Sequence, residues 1–155
     1  MMIQPLTTTQ LDDILFTTNV TSKSYIGTYP SCFLPTSTKP FYSFISNTEE
    51  HDENGEHWCA WVAKGDMMCF FDSFGRSPKD KTLPKYFRDI VNNFNFIKYT
   101  NYRVQGLSSK ACGYFCIHFI YVFSLGLDYE DFLSDYSRDF NKNDTVAIDF
   151  VSSII

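Results

Sequence analysis

From Ala111 to Leu127 the sequence runs for 17 residues without an Asp, Glu, Lys or Arg. A helix needs about 20 apolar residues to span a bilayer, and Gly113, His118, Ser124 and Gly126 dilute this run further. The segment therefore predicts a buried core helix over residues 112–125. Such a helix demands a large apolar partner surface, and the chain has the material for one. Of its 155 residues 44% are hydrophobic, with 16 Phe, 10 Tyr and 2 Trp. A domain of about 150 residues buries roughly two thirds of the surface its unfolded chain exposes. The composition excludes collagen-like, low-complexity and disordered chains, and residues 1–155 are expected to form a single domain.

The partner surface is legible upstream. Residues 56–64 (EHWCAWVAK) and 67–74 (MMCFFDSF) are aromatic and apolar on both faces and flank Gly65-Asp66. Gly in the first position of a two-residue loop predicts a type II′ hairpin. Strands apolar on both faces predict a sheet covered on both sides. Residues 84–95 read as an amphipathic helix with Pro84 near its start and Tyr86, Phe87, Ile90, Val91 and Phe94 inward. Residues 96–104 alternate as a strand. Residues 8–16 read as a short helix capped by Thr8 or Thr9, and 128–136 and 144–154 as two more, the last capped by Asp144 or Thr145. Residues 24–45, rich in Pro, Tyr, Phe and Ser, predict loops and short extended pieces. Helix, strands, helix, strand, helices is an α+β order.

Charge is unevenly placed on a chain of net −5. Residues 49–56 hold five acids and residues 128–149 seven, whereas residues 76–110 hold eight basic residues against Asp80 and Asp89. The basic segment is either a solvated face or a site for nucleic acid or an acidic peptide. Five cysteines is an odd number, and no apolar stretch opens the chain as a signal peptide would. Both features favour a reducing, intracellular setting over a disulfide framework.

The hairpin register carries the chemistry. With Gly65-Asp66 at the turn, Cys59 faces Asp72 and His57 faces Phe74. His57 and Asp72 are then diagonal neighbours on one face, within reach of a carboxylate–imidazole bond. An Asp so placed fixes a His tautomer and stabilises its cation; a turn acid beside an edge histidine is the plainer alternative. Cys112 stands at the start of the apolar helix, after a polar loop, where a helix N-terminus favours a thiolate nucleophile. Gly113 would let a substrate backbone approach. Gln105, in the loop feeding the helix, could donate to an oxyanion beside the Cys112 backbone N–H. The alternative for Cys112 is a small buried hydrophobe. No C-x-x-C pair exists and His118 falls on another helix face from Cys112 and Cys116, so no metal site is expected.

His57-Trp58, Phe71-Asp72-Ser73-Phe74-Gly75, Val104-Gln105-Gly106 and Ala111-Cys112-Gly113 follow in an order that resembles the adenovirus processing protease (adenain) and its relatives. Those relatives include proteases of large DNA viruses and virus-like transposable elements and, more distantly, the SUMO and ubiquitin-like-protein proteases. The resemblance implies a papain-like cysteine protease architecture, with a central buried helix packed against a mixed or antiparallel sheet. It implies Cys112 as nucleophile, His57 as general base and later acid, Asp72 as the residue orienting His57, and Gln105 as oxyanion donor. Trp58 and Gly113 would border the substrate, and cleavage would fall near small residues, often Gly. Adenain has Glu where this chain has Asp72; the SUMO proteases have Asp.

The substrates so implied are viral or transposon capsid and precursor proteins, cut in the host nucleus or cytoplasm and in the virion. The alternatives are a deconjugating protease for ubiquitin-like modifiers and a protease-like binding module without activity. No cofactor is required. Adenain is stimulated by a disulfide-linked peptide and by DNA; here residues 76–104 contain no Cys, so a peptide activator would bind without that bond, and DNA would use residues 76–110. The acids before His57 are expected either to raise its pKa or to form a solvated loop.

Overall fold

The computed structural model describes residues 3–48 and 57–155. The acidic segment 49–56, with His51 and the first residue of the predicted hairpin, lies outside the described residues.

Two short helices open the chain, α1 (Thr8–Thr17) and α2 (Asn19–Ser22). The cap of α1 is Thr7, one or two residues earlier than expected, because Gln10 completes a reciprocal capping box with it. Strands β1 (Tyr25–Tyr29) and β2 (Phe41–Asn47) follow in the segment expected to be mostly loop. The hairpin is β3 (Trp58–Lys64) and β4 (Met67–Phe71). Then come α3 (Lys85–Val91), β5 (Phe96–Lys98), α4 (Cys112–Ser124), α5 (Tyr129–Leu133) and α6 (Phe140–Ile154).

The five strands form one sheet in chain order. β1–β2 and β4–β5 are parallel and the two inner pairs antiparallel, so the sheet is mixed. Lys64 pairs with Met67 and Val62 with Cys69, the register the turn predicts. Gly65 has φ +58° and no non-glycine residue in the described chain has positive φ, so only the first turn residue is left-handed. That is a type II′ turn rather than type I′.

Side chains alternate strictly between two cores. Trp58, Ala60, Val62, Cys69 and Phe71 face α4; Cys59, Trp61, Ala63, Met68 and Phe70 face α3. Both faces are covered, as the two-sided apolar strands require. Helix α4 is buried over most of its length, and no helix among the described residues is long and apolar enough to cross a membrane.

Further elements differ from expectation. β5 ends at Lys98, and residues 99–104 continue as irregular chain with Tyr99 and Tyr102 exposed. α3 is shorter, with Pro84 as its cap and Tyr86 and Phe94 only half-buried. α6 starts at Phe140, capped by the Asp139 carboxylate rather than by Asp144 or Thr145.

His118 is buried on α4, its Nδ1 2.5 Å from the Tyr136 hydroxyl. Burial outweighs the Asp135 charge and holds the ring down to about 4, so it is neutral in the fold. The unfolded chain takes up this proton below about pH 6.5. Stability is therefore full above that pH, falls as pH drops from there to about 4, and levels off below. The expected loss between pH 7 and 4.5 is about 2–3 kcal/mol. Urea titrations at both pH values should show this loss in the parent and a clearly smaller one in His118→Gln.

Candidate active site

Three residues that are far apart in sequence meet where the β3–β4 ladder ends against the first turn of α4. His57 precedes β3 and Asp72 follows β4, on the α3 side of the sheet by the strand period. Asp72 Oδ1 lies 2.5 Å from His57 Nε2. The Cys112 thiol hydrogen-bonds the same imidazole, and since Asp72 takes Nε2, this leaves Nδ1 for the sulfur. Phe74 stacks on the imidazole at 4.6 Å between centroids, which fixes the ring plane.

The electrostatics follow from these bonds. Burial works against charge on His57, but the bonds and negative charge of Asp72 and Cys112 prevail and raise it to about 9. Burial likewise opposes charge on Asp72, and the hydrogen bonds from His57 and Arg76 overcome it and hold the carboxyl down to about 2. The imidazole is thus kept protonated beside a sulfur, in the first turn of a helix whose leading N–H groups have no partner within the helix. Such an arrangement suits a thiolate–imidazolium pair.

Arg76 was not evident in the sequence. Its Nε donates to Asp72 Oδ2 at 2.6 Å, and its backbone N–H donates to the same oxygen at 3.2 Å. Asp72 therefore points one oxygen at His57 and has the other held. The turn Asp72–Gly75 makes this possible. Gly75 N–H donates to the Asp72 carbonyl at 2.8 Å. Gly75 has φ +79°, and a Cβ there would meet the Asn101 carbonyl oxygen at 2.9 Å, so no other residue fits without rearrangement.

Gln105 joins the cluster through Ser73, whose hydroxyl donates to Gln105 Oε1. Gln105 Nε2 donates to the Ser109 carbonyl at 2.9 Å, which uses one of its two amide hydrogens. The loop is held by Val104 and Gln105 N–H bonds to the Ser73 carbonyl and by Asn143 Nδ2 on the Val104 carbonyl. Ser73 and Asn143 are further residues that the sequence did not mark.

Two expected substrate contacts have a different setting. Trp58 is buried; its indole N–H donates to the Leu6 carbonyl at 2.9 Å, and its own carbonyl accepts from the Cys116 thiol. Trp58 thus braces α4 and the start of the chain against β3. The space beside Gly113 is filled by Leu6, whose Cβ would lie 3.2 Å from an added Cβ. Glycine there makes room for Leu6 of the chain's own N-terminal segment. Cys112 itself is buried rather than open at the helix end. Cys116 is fully buried, and burial pushes its thiol well above the usual range.

His57, Cys59 and Asp72 place three ligand-type atoms within 4.8 Å of one another. Their chemistry suits an ion pair rather than a metal. Arg76 sits on the second Asp72 oxygen, where its positive charge opposes a cation, and burial keeps the Cys59 thiol protonated.

No protein-family model matches the chain. A protease of Bovine adenovirus 2 is 32% identical over 93 residues, a match covering 51% of this chain and 44% of that protein; the chain thus aligns with less than half of that relative. The crystal structure of the ASFV pS273R protease superposes with a TM-score of 0.65 at 17% identity, over 98% of this chain and 67% of that one. The sequence match spans less than half of that viral protease, the superposition spans nearly all of this chain, and the chain has an α+β fold like that of the ASFV pS273R protease.

Proposed function

We propose that the chain is a cysteine endopeptidase. The observation that carries this reading is the continuous Asp72–His57–Cys112 hydrogen-bond chain ending at a helix N-terminus. The similarity to a protease of Bovine adenovirus 2 supports it. Cys112 Sγ attacks the peptide carbonyl carbon, its proton residing on His57 Nδ1. The carbonyl π electrons move to oxygen, where the Cys112 backbone N–H and the second Gln105 amide hydrogen stabilise the developing charge. Collapse expels the amine, which takes the proton from His57, and leaves an acyl thioester on Cys112. Water, deprotonated by His57, attacks the thioester and releases the acid and the thiol. Asp72 orients the imidazole and stabilises its cation throughout. The substrates proposed are capsid or precursor proteins of a virus or transposon, cut beside small residues.

A peptide vinyl sulfone ending in Gly tests the assignment. Peptide mapping should find the adduct on Cys112, with Cys59, Cys69 and Cys116 unmodified in the folded chain. An adduct confined to any other cysteine would overturn it. Parallel assays with ubiquitin, SUMO and NEDD8 conjugates and with Gly-containing capsid peptides separate a maturation protease from a deconjugating one.

Gln105→Ala should lower kcat by about 10²–10³ with a smaller effect on KM. It also strands the Ser73 hydroxyl and should cost about 1–3 kcal/mol in stability. Activity near the parent's in a folded Gln105→Ala chain would reduce Gln105 to a loop brace.

A further inference from the structure

Beyond His57, on the α3 side of the sheet, a cavity of about 600 Å³ opens. His57, Phe74, Arg76, Lys81, Lys85 and Arg88 are among its walls, and among the described residues neither Cys112 nor a carboxylate lines it. Four cations thus surround a space bordered by the imidazole that faces Cys112. Among the described residues, Arg76 alone of the four has an anionic partner. Arg76 is held by Asp72 and reaches Thr82 with Nη1. The neighbouring Asp80 is turned onto the backbone and hydroxyl of Thr82, at 2.8 and 2.6 Å. Among the described residues, Lys81, Lys85 and Arg88 form no ion pair. Arg88 Nη1 is buried without a hydrogen-bond partner. A buried, unpartnered guanidinium nitrogen is costly unless something anionic or hydrogen-bonding reaches it, and solvation of a surface face does not account for it.

The position of the cavity assigns its place in the cleft. The imidazole must hand its proton to the departing amine, so it stands on the leaving-group side of the scissile carbonyl. A cavity that this imidazole borders and Cys112 does not line therefore receives residues that follow the cut. Resting on the peptidase reading, we propose that this cavity is a leaving-side subsite that selects an acidic side chain, Asp or Glu, in the residues after the scissile bond. Arg88 and Arg76 present planar N–H groups suited to a carboxylate, and Lys81 and Lys85 supply the surrounding field.

Two fluorescein-labelled decapeptides test this. Both carry Gly-Gly before the scissile bond; one has Asp-Glu and the other Asn-Gln at the second and third positions after it. Binding is measured by anisotropy with the Cys112→Ala chain, and cleavage with the parent, at low and high salt. The acidic peptide should bind roughly tenfold more tightly at low salt, with the preference shrinking at high salt. Lys81→Gln/Lys85→Gln and Arg88→Gln should each bring the ratio toward one. Lys23→Gln/Lys142→Gln, which removes exposed charge elsewhere, should leave the ratio unchanged. Equal binding of the two peptides overturns the subsite, as does a ratio that falls equally in the Lys23/Lys142 control. Tighter binding of a short DNA duplex than of the acidic peptide, with the duplex displacing it, also overturns the subsite in favour of a nucleic-acid site. Preferential binding of the acidic peptide with no cleavage of either peptide supports a carboxylate-selecting cavity and overturns the peptidase reading, with the leaving-side placement that rests on it.

Discussion

Cys112→Ala is expected to abolish peptide hydrolysis, a fall of roughly 10⁵–10⁶ in kcat, as when a covalent nucleophile is removed from a comparable unit. Alanine is the informative replacement because Cys112 is 3% exposed and packs in the core shared with Leu6 and Trp58. It removes the sulfur without adding a polar group to that environment, so the stability cost should stay near about 1 kcal/mol. Cys112→Ser adds a hydroxyl that His57 can still contact, and it should be equally inactive. Cys116→Ala is the internal control. Its thiol donates to the Trp58 carbonyl at 3.3 Å and is held protonated by burial, so the variant should lose some stability and keep activity within a few-fold. Initial rates at matched folded fractions decide the matter. Comparable losses in Cys112→Ala and Cys116→Ala, with both chains folded, would mean the nucleophile is misassigned.

Asp72→Asn carries the second large effect. The amide keeps the shape but removes the charge and can present its N–H to the wrong side of the imidazole. A reduction in kcat of about 10²–10⁴ is expected. The pH profile is more telling. Asp72 is among the groups that raise His57 to about 9, so without it the alkaline limb of the rate profile should move to lower pH by more than about one unit. Linkage gives a stability signature of the same bond. Asp72 is depressed to about 2 from 3.8, so its contribution is full above pH 3.8 and disappears as pH falls through 2. His57 is raised, so the bond seen from its side is fully present below pH 6.5 and lost as pH rises through 9. The two shifts describe one ion pair from its two ends and count once, at about 2–3 kcal/mol near neutrality. An unchanged alkaline limb in a folded Asp72→Asn chain would detach Asp72 from His57.

The parts that were legible in the sequence share a cause: they are local or strictly periodic. Gly65-Asp66 fixes a turn, the turn fixes the β3–β4 register, and the register puts His57 beside Asp72. The uncharged run around α4 could only be buried. Strands β1 and β2 were hidden because Pro, Ser and Gly neighbours make their composition loop-like; β2 is held by pairing with β3 and β1 by pairing with β2, partners no local window contains. The start of α6 was missed because Asn143 and Asp144 occupy the buried positions of its first turns, so the apolar period begins only near Val146. Arg76 and Ser73 were invisible for another reason. Their roles depend on the path of the chain around Gly75, and irregular backbone leaves no period to read.

The proposed reacting groups belong to different layers: imidazole and carboxylate at the sheet, sulfur on the helix beneath it. His57 and Cys112 lie far apart in the chain, so the pair exists only after slow, long-range closure has brought α4 onto β3. During synthesis the sheet half emerges before the helix that carries the thiol. A partly folded chain, exposed to its neighbours at high concentration, would hold the thiol and the histidine apart. Reactivity would then report native assembly, and loss of thiol alkylation by a mild electrophile should track the first opening of the α4–β3 contact rather than global unfolding.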